Sequence, residues 1–218
     1  MTLRVAELFR SLQGEGPSAG TPAHFLRLQG CDVGCRWCDT KYTWDVAGGS
    51  ANGIAESFEA LRALGDAPLL VLTGGEPLAH PGVERLLTAA LGQWPRVEVE
   101  TSGIAPPPLA HERLYYMWSP KLPSVTARWA ETWAHMASFM SDPRTTVKLV
   151  VADGDDDDAL RLIREHGLAK ERVMLMPEGL TDAAVRTRAL TLAPLCQREG
   201  LRLSPRLHVW LWGAKRGV

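Results

Sequence analysis

Leu69-Leu70-Val71-Leu72-Thr73 is an unbroken apolar run that stops at Gly74-Gly75-Glu76-Pro77. A strand buried on one face alternates apolar with polar residues. A run without alternation suits a strand covered on both faces, as in a parallel sheet. Working outward, strand-like segments follow at residues 97–101, 114–118, 146–151, 173–176 and 201–204. Two more precede it, at 4–12 and 24–29, separated by the turn-rich Gly14-Glu15-Gly16-Pro17-Ser18-Ala19-Gly20. Helical periodicity falls between most of them, over residues 55–64, 82–91, 156–166 and 181–198. Strands alternating with helices predict βαβ units with right-handed crossovers. The link at 104–113 contains Pro106-Pro107-Pro108 and is too proline-rich for a good crossover helix. The expectation is an α/β fold: a partial (β/α)6-type barrel with parallel strands and reduced helices, one domain over residues 1–218.

The 218 residues are 45% hydrophobic and 22% charged, the balance of a globular chain with a substantial core. Basic and acidic side chains nearly cancel at 24 against 25, so a broad electrostatic grip on nucleic acid or an anionic membrane is not expected. Arg4, Glu7 and Arg10 leave no signal peptide near the N-terminus, and no apolar run approaches the ~20 residues that span a bilayer. A cytoplasmic protein is expected. The acidic run Asp153 to Asp158 lacks the spaced ligands and closing glutamate of a calcium loop and reads as a solvated helix N-terminus.

Three of the four cysteines, Cys31, Cys35 and Cys38, crowd one loop, while Cys196 lies far away on the apolar face of a helix and reads as a buried structural thiol. Structural zinc wants four ligands, and iron–sulfur clusters usually take four cysteines. A cubane held by three would leave one iron open for chemistry.

This CxxxCxxC loop resembles that of the radical S-adenosylmethionine superfamily. The resemblance implies a [4Fe–4S] cluster whose open iron chelates S-adenosylmethionine, and reductive cleavage of that cofactor to a 5′-deoxyadenosyl radical. Gly74-Gly75-Glu76-Pro77, at a strand's carboxyl end, matches the family's GGEP motif. Its glycines would let backbone approach the cofactor, and its amides could bond the methionine moiety. Glu100-Thr101-Ser102-Gly103 and Ser119-Pro120-Lys121 mark two later strand ends, whose hydroxyls and charges suit the cofactor's ribose, amine and carboxylate. Trp37 and Asp39, inside and beside the cluster loop, join this cofactor set. Trp210 and Trp212 are further candidates for excluding solvent.

Within that superfamily the chain is similar to the 7-carboxy-7-deazaguanine synthases over nearly its whole length. The similarity rests on Glu7 to Gly16, on Phe25-Leu26-Arg27-Leu28-Gln29-Gly30-Cys31, on Cys38-Asp39-Thr40, and on the terminal stretch Leu207-His208 to Val218. It implies a magnesium-dependent ring contraction of 6-carboxy-5,6,7,8-tetrahydropterin with loss of ammonia. Thr40 would ligate magnesium. Arg27, with Phe25 and Gln29 on one face of its strand, would hold the substrate carboxylate. Gln13 and Glu15 would accept from its ring N–H groups, with Leu12, Gly14, Thr73, His208 and Val218 also at the substrate. A homodimer reduced by a flavodoxin- or ferredoxin-like donor is implied as well. Three positions depart from the pattern: Met176 stands where a glutamine is expected before Pro177, leaving its cofactor contact open, and Arg206 and Ala214 replace expected polar residues.

Two rival readings stay open at this point. One is an activase of a glycyl-radical enzyme or ribonucleotide reductase, which would have no evident need of Gln13, Glu15, Arg27 and Thr40. The other is a non-catalytic iron–sulfur or zinc protein with a closed metal shell.

Overall fold

In the computed structural model, which describes residues 2–213 and 215–218, these runs form one nine-stranded sheet. The strands are β1 (Thr2–Leu12), β2 (Pro22–Leu28), β3 (Ser50–Gly53), β4 (Leu69–Gly74), β5 (Arg96–Thr101), β6 (Leu114–Trp118), β7 (Thr146–Val151), β8 (Val173–Pro177) and β9 (Arg202–Leu203). Their spatial order is β3-β1-β2-β4-β5-β6-β7-β8-β9. Every pairing from β2 to β9 is parallel, whereas β1 runs antiparallel to both β2 and β3. Among the described residues β3 and β9 do not meet, so the barrel is open.

Among the described residues six helices accompany the sheet: α1 (Ile54–Arg62), α2 (Val83–Leu91), α3 (Met136–Met140), α4 (Asp156–Glu165), α5 (Asp182–Glu199) and α6 (Leu207–Trp212). The proline-rich link at 104–113 carries no helix, and the β6–β7 crossover holds only a short 3-10 turn and the five-residue α3. The acidic run supplies Asp156, Asp157 and Asp158 to the first turn of α4, where carboxylates meet the positive helix end. Among the strands, two differ from expectation. Strand β3, Ser50-Ala51-Asn52-Gly53, has no β-branched or aromatic residue; it forms because the eleven-residue β1 offers an unpaired edge. Strand β9 keeps only two residues.

The sheet's two faces differ in kind. On the outer face Leu26, Leu28, Leu70, Leu72, Val97, Val99, Val147 and Leu149 join Phe58, Leu61, Leu86, Leu87 and Leu160 from the helices in one apolar core. The alternate residues face inward. They begin as a small apolar patch of Phe25 and Val71, joined by Phe9, and continue as Arg27, Thr73, Glu98, Glu100 and Lys148. The absence of alternation in the sequence thus reflects burial on both sides, with the larger apolar core on the helix side and the smaller patch on the inner face. No helix among the described residues is long and apolar enough to cross a membrane.

Candidate active site

The inner face, the loop after β2 and the C-terminal segment enclose a cavity of about 290 Å3. Cys31, Cys35 and Cys38 all reach it. Their loop is pinned by backbone bonds from Gly30 N to Thr43 O (2.7 Å) and Cys38 N to Cys35 O (3.1 Å), and by the Thr126 hydroxyl donating to Val33 O (2.5 Å). Burial pushes the Cys31 thiol up to about 11 and raises that of Cys35 as well. Cys196 is buried elsewhere, with Sγ 3.7 Å from Arg202 O. Thr40 lines the cavity with Oγ1 3.6 Å from Cys38 Sγ.

Among the described residues no three His, Cys, Asp or Glu side chains converge as they would on one metal ion. Such convergence is what a closed zinc site needs. A cluster, which takes each thiolate at a different corner, does not require it. One further observation fits a large group beside these thiols. The indole N–H of Trp37, in the same loop, is buried without a partner among the described residues. Gly75 packs so tightly that a Cβ there would sit 2.1 Å from Gly30 O and 2.8 Å from Cys31 Cβ. Backbone cannot yield as a flexible side chain does, so Gly75→Ala is expected to displace the cluster loop. Iron bound after anaerobic reconstitution should fall well below the wild-type content. Full iron loading in that variant would show that the close approach is dispensable.

The glycine turn acts differently from expectation. Its amides are not free for a ligand: Gly75 N donates to Leu28 O (3.0 Å) and Glu76 N to Gly30 O (2.9 Å), stitching β4 to the end of β2 and the cluster loop. The Glu76 carboxylate, 3% exposed, accepts from Thr101 Oγ1 (2.6 Å), Ser102 N (2.8 Å), Ser102 Oγ (2.5 Å) and Leu78 N (3.0 Å). Glu76 therefore knots two strand ends together. Thr101 and Ser102 line the cavity with their hydroxyls donating to Glu76, and Thr101 Oγ1 also accepts from Gly103 N (3.0 Å). Gly74, Ser119, Lys121 and Met176 line it too, with Lys121 Nζ 3.2 Å from Ser119 Oγ and 5.7 Å from the Trp37 ring centroid. Pro120 does not reach the cavity.

The same cavity is lined by a buried charge network. Lys148, 3% exposed, donates through Nζ to Glu15 Oε2 (2.5 Å) and Glu100 Oε2 (2.6 Å). Arg206 reaches Glu15 Oε1 (3.4 Å), Asp39 Oδ2 (2.5 Å) and the Gly179 carbonyl. His208 Nε2 lies 3.8 Å from Glu15 Oε1. Burial alone would raise the Glu15 carboxyl, but Lys148, Arg206 and His208 together hold it well below the usual range. Burial raises Glu100, and the nearby Glu15 and Glu98 add to this against the pull of Lys148. Burial also lowers His208, assisted by Arg206 and Lys148, which favours the neutral imidazole. Its ring fills the space above Gly14, where a Cβ would lie 2.1 Å from Nδ1.

The third feature is an arginine with free hands. Arg27 Nε donates to Glu7 Oε2 (2.9 Å), and its terminal nitrogens have no protein partner among the described residues. Glu7 also accepts from Tyr42 OH (2.6 Å) and from Arg216 Nε (2.9 Å), whose guanidinium lies 3.6 Å from the Tyr42 ring centroid. Burial favours the neutral carboxyl at Glu7, but Tyr42, Arg216 and Arg27 outweigh it and keep its pKa low.

Leu12, Gln13, Gly14, Asp39, Thr73 and Val218 all line the cavity as the sequence suggested. Gln13 does so with its amide already engaged: Nε2 donates to Glu98 Oε2 (3.2 Å) and Glu100 Oε1 (3.4 Å), and Oε1 accepts from Glu15 N (3.3 Å). Gln29 turns away to donate to the carbonyls of Tyr42 and Asp45. Trp210 and Trp212 do not line the cavity, and Trp210 is 64% exposed. Ala214 lies outside the described residues. Sequence reasoning passed over Lys148 and Tyr42 and took Arg206 for a mere departure. The available signal for Lys148 was a lone cation amid the apolar Thr146–Val151.

Three thiols at the mouth of an open parallel sheet define a radical S-adenosylmethionine enzyme, and the Radical SAM superfamily profile matches residues 26–126. The chain is 39% identical to 7-carboxy-7-deazaguanine synthase of Pyrobaculum aerophilum, over 99% of this chain and 97% of that one. With the enzyme of the same name from Chlorobaculum tepidum the identity is 34%, again over 99% and 97%. The crystal structure of QueE from Escherichia coli superposes with a TM-score of 0.70 at 28% identity, covering 95% of both chains. The chain belongs to the 7-carboxy-7-deazaguanine synthase family. As a radical S-adenosylmethionine enzyme it employs a [4Fe–4S] cluster and S-adenosylmethionine.

Proposed function

We propose that the cavity takes 6-carboxy-5,6,7,8-tetrahydropterin and contracts its ring to 7-carboxy-7-deazaguanine with loss of ammonia, a step toward 7-deazapurines. The observation that carries this reading is that one cavity gathers three thiols with an anion-seeking Arg27 and an ionised Glu15. Cys31, Cys35 and Cys38 would hold the cluster, and the rim formed by Trp37, Gly74, Thr101, Ser102, Ser119, Lys121 and Met176 the cofactor. When bound, cluster and cofactor supply a carbon-centred radical that removes a hydrogen atom from the substrate.

The chain's own residues would do the rest. The free terminal nitrogens of Arg27 offer two parallel charge-assisted bonds to the substrate carboxylate. Glu15, kept ionised by Lys148, accepts from the guanidine-like edge. A neutral His208 can donate or accept beside it. Phe9, Phe25 and Val71 give the flat ring an apolar surface. Thr40, one hydroxyl beside the cluster loop, would contribute a single hard oxygen to magnesium, with substrate oxygens and water completing the shell. A single-domain, cytoplasmic homodimer reduced by a small flavin or iron–sulfur protein completes the reading.

Anaerobically reconstituted protein given carboxytetrahydropterin, reductant, magnesium and S-adenosylmethionine should release the deazaguanine and ammonia. Cofactor cleavage that required an added protein substrate, with no deazaguanine formed, would favour an activase. Arg27→Ala should raise the KM for substrate by about ten- to a hundred-fold, the worth of a lost charged hydrogen-bond pair. Uncoupled formation of 5′-deoxyadenosine should persist in that variant. An unaltered substrate dependence would remove Arg27 from the carboxylate site.

A further inference from the structure

We propose that Arg206 is a positioning residue that clamps the cysteine-bearing loop to the loop carrying Gln13 and Glu15, and so fixes the separation of cofactor and substrate. The inference rests on the substrate reading above. It begins from the guanidinium, whose three nitrogens go to three different parts of the chain. Nη2 donates to Asp39 Oδ2 at 2.5 Å, one residue beyond Cys38; Nε donates to Glu15 Oε1 at 3.4 Å; Nη1 donates to the carbonyl of Gly179, beyond β8. The side chain is 6% exposed, so these contacts replace water rather than compete with it.

The surroundings make the clamp stiff. On one side of Arg206, Ser204 Oγ accepts from Gly16 N (2.9 Å); on the other, Leu207 N donates to Gly14 O (2.8 Å). The C-terminal segment is thus bolted to the substrate loop, and the Arg206 side chain carries that attachment across to the cluster loop. A rigid planar fork suits this task, because it fixes direction as well as distance. Lysine has one nitrogen to share, and glutamine has too short a reach to span Asp39 and Gly179. The long Nε–Glu15 contact leaves Oε1 able to accept a ligand N–H in addition.

A radical reaction is sensitive to such placement, since a displacement of about 1 Å costs on the order of a hundredfold in rate. The experiment compares the wild type with Arg206→Gln, Arg206→Lys, Asp39→Asn and the Arg206→Gln/Asp39→Asn double variant. Each is reconstituted and checked for iron content and melting temperature. Three quantities are then read: deazaguanine formed per 5′-deoxyadenosine, the split between kcat and KM, and amide hydrogen exchange across residues 31–40. Arg206→Gln should lower the product-to-deoxyadenosine ratio about tenfold and speed exchange in that loop, with iron content retained. Arg206→Lys should fail to restore either. Asp39→Asn, at a half-exposed position that folding tolerates, should show the same pair of effects, and the double variant should be no worse than the Arg206 single, as residues in one network behave.

Unchanged coupling with unchanged exchange in Arg206→Gln, full rescue by lysine, or strictly additive effects would each overturn the clamp. A wild type that made no deazaguanine would overturn the substrate reading alone. The exchange measurement would still decide whether Arg206 ties the two loops.

Discussion

Cys35→Ala protein is expected to fold, to bind iron and sulfide poorly, and to form no detectable 5′-deoxyadenosine. The thiol is 9% exposed and belongs to the core cluster, yet alanine removes only one sulfur from it, so the melting temperature should move by a few degrees at most. The chemical loss is total because Cys31 and Cys38 alone leave two corners of a cubane without protein ligands. Cys196 cannot substitute, being buried elsewhere against Arg202. The measurement pairs iron and sulfide analysis with chromatography of the nucleoside product. Retained cofactor cleavage in the alanine protein would contradict the assignment of the three thiols.

Lys148→Met carries the largest effect on stability. It removes the cation between Glu15 and Glu100 while roughly keeping side-chain volume, leaving two carboxylates in a buried wall without their main partner. Breaking a buried pair in this way costs about 3–5 kcal/mol. The pH dependence should also tilt toward acid. In the wild type Glu15 has a depressed carboxyl pKa. Its stabilisation is therefore complete above its unfolded value of about 4.3 and is lost only as the pH falls through the lower folded value. His208, lowered in the fold, takes up a proton more readily when unfolded. Acidification below about 6.5 therefore costs the wild type some stability. In the methionine variant Glu100, already raised in the wild type, loses the opposing pull of Lys148, and Glu15 loses its largest opposing charge, so both carboxyls move up. The cost of ionising them then grows as pH climbs above about 4.3. The variant should be more stable at pH 5.5 than at pH 7.5, and more steeply so than the wild type, in which a raised Glu100 already works in that direction against His208. Parallel melting curves across that range would refute the network's electrostatic role.

The fold was legible wherever local pattern and long-range packing agreed. Residues 114–118 and 146–151 match their strands to the residue, and the helix-free proline link is as read. Ser50–Gly53 was not legible, because nothing local makes it a strand; the partner edge on β1 does. The six-residue α6 was likewise hidden inside a stretch read for its motif. In the site, spacing alone singled out the cysteines, and the resemblance brought Arg27 and Glu15. What neither revealed was which polar atoms were already engaged. Glu76 and Gln13 look like ligand-binding groups in a linear sequence, but their partners Thr101, Ser102 and Glu98 lie on a neighbouring strand and beyond it. Lys148 was concealed for the opposite reason: its strand was assigned from apolar neighbours, and the exception among them was the informative residue.

Because most hydrophobic packing lies on the helix-covered side of the sheet, while its concave side carries charge, the apolar half of this scaffold can be redesigned apart from the chemistry, with the charged wall left intact because it serves both. Laboratory evolution toward a hardier catalyst can enrich Phe58, Leu86 and their neighbours on the convex side without touching turnover. Selection for new substrates would act on the other side and draw on the stability margin gained there.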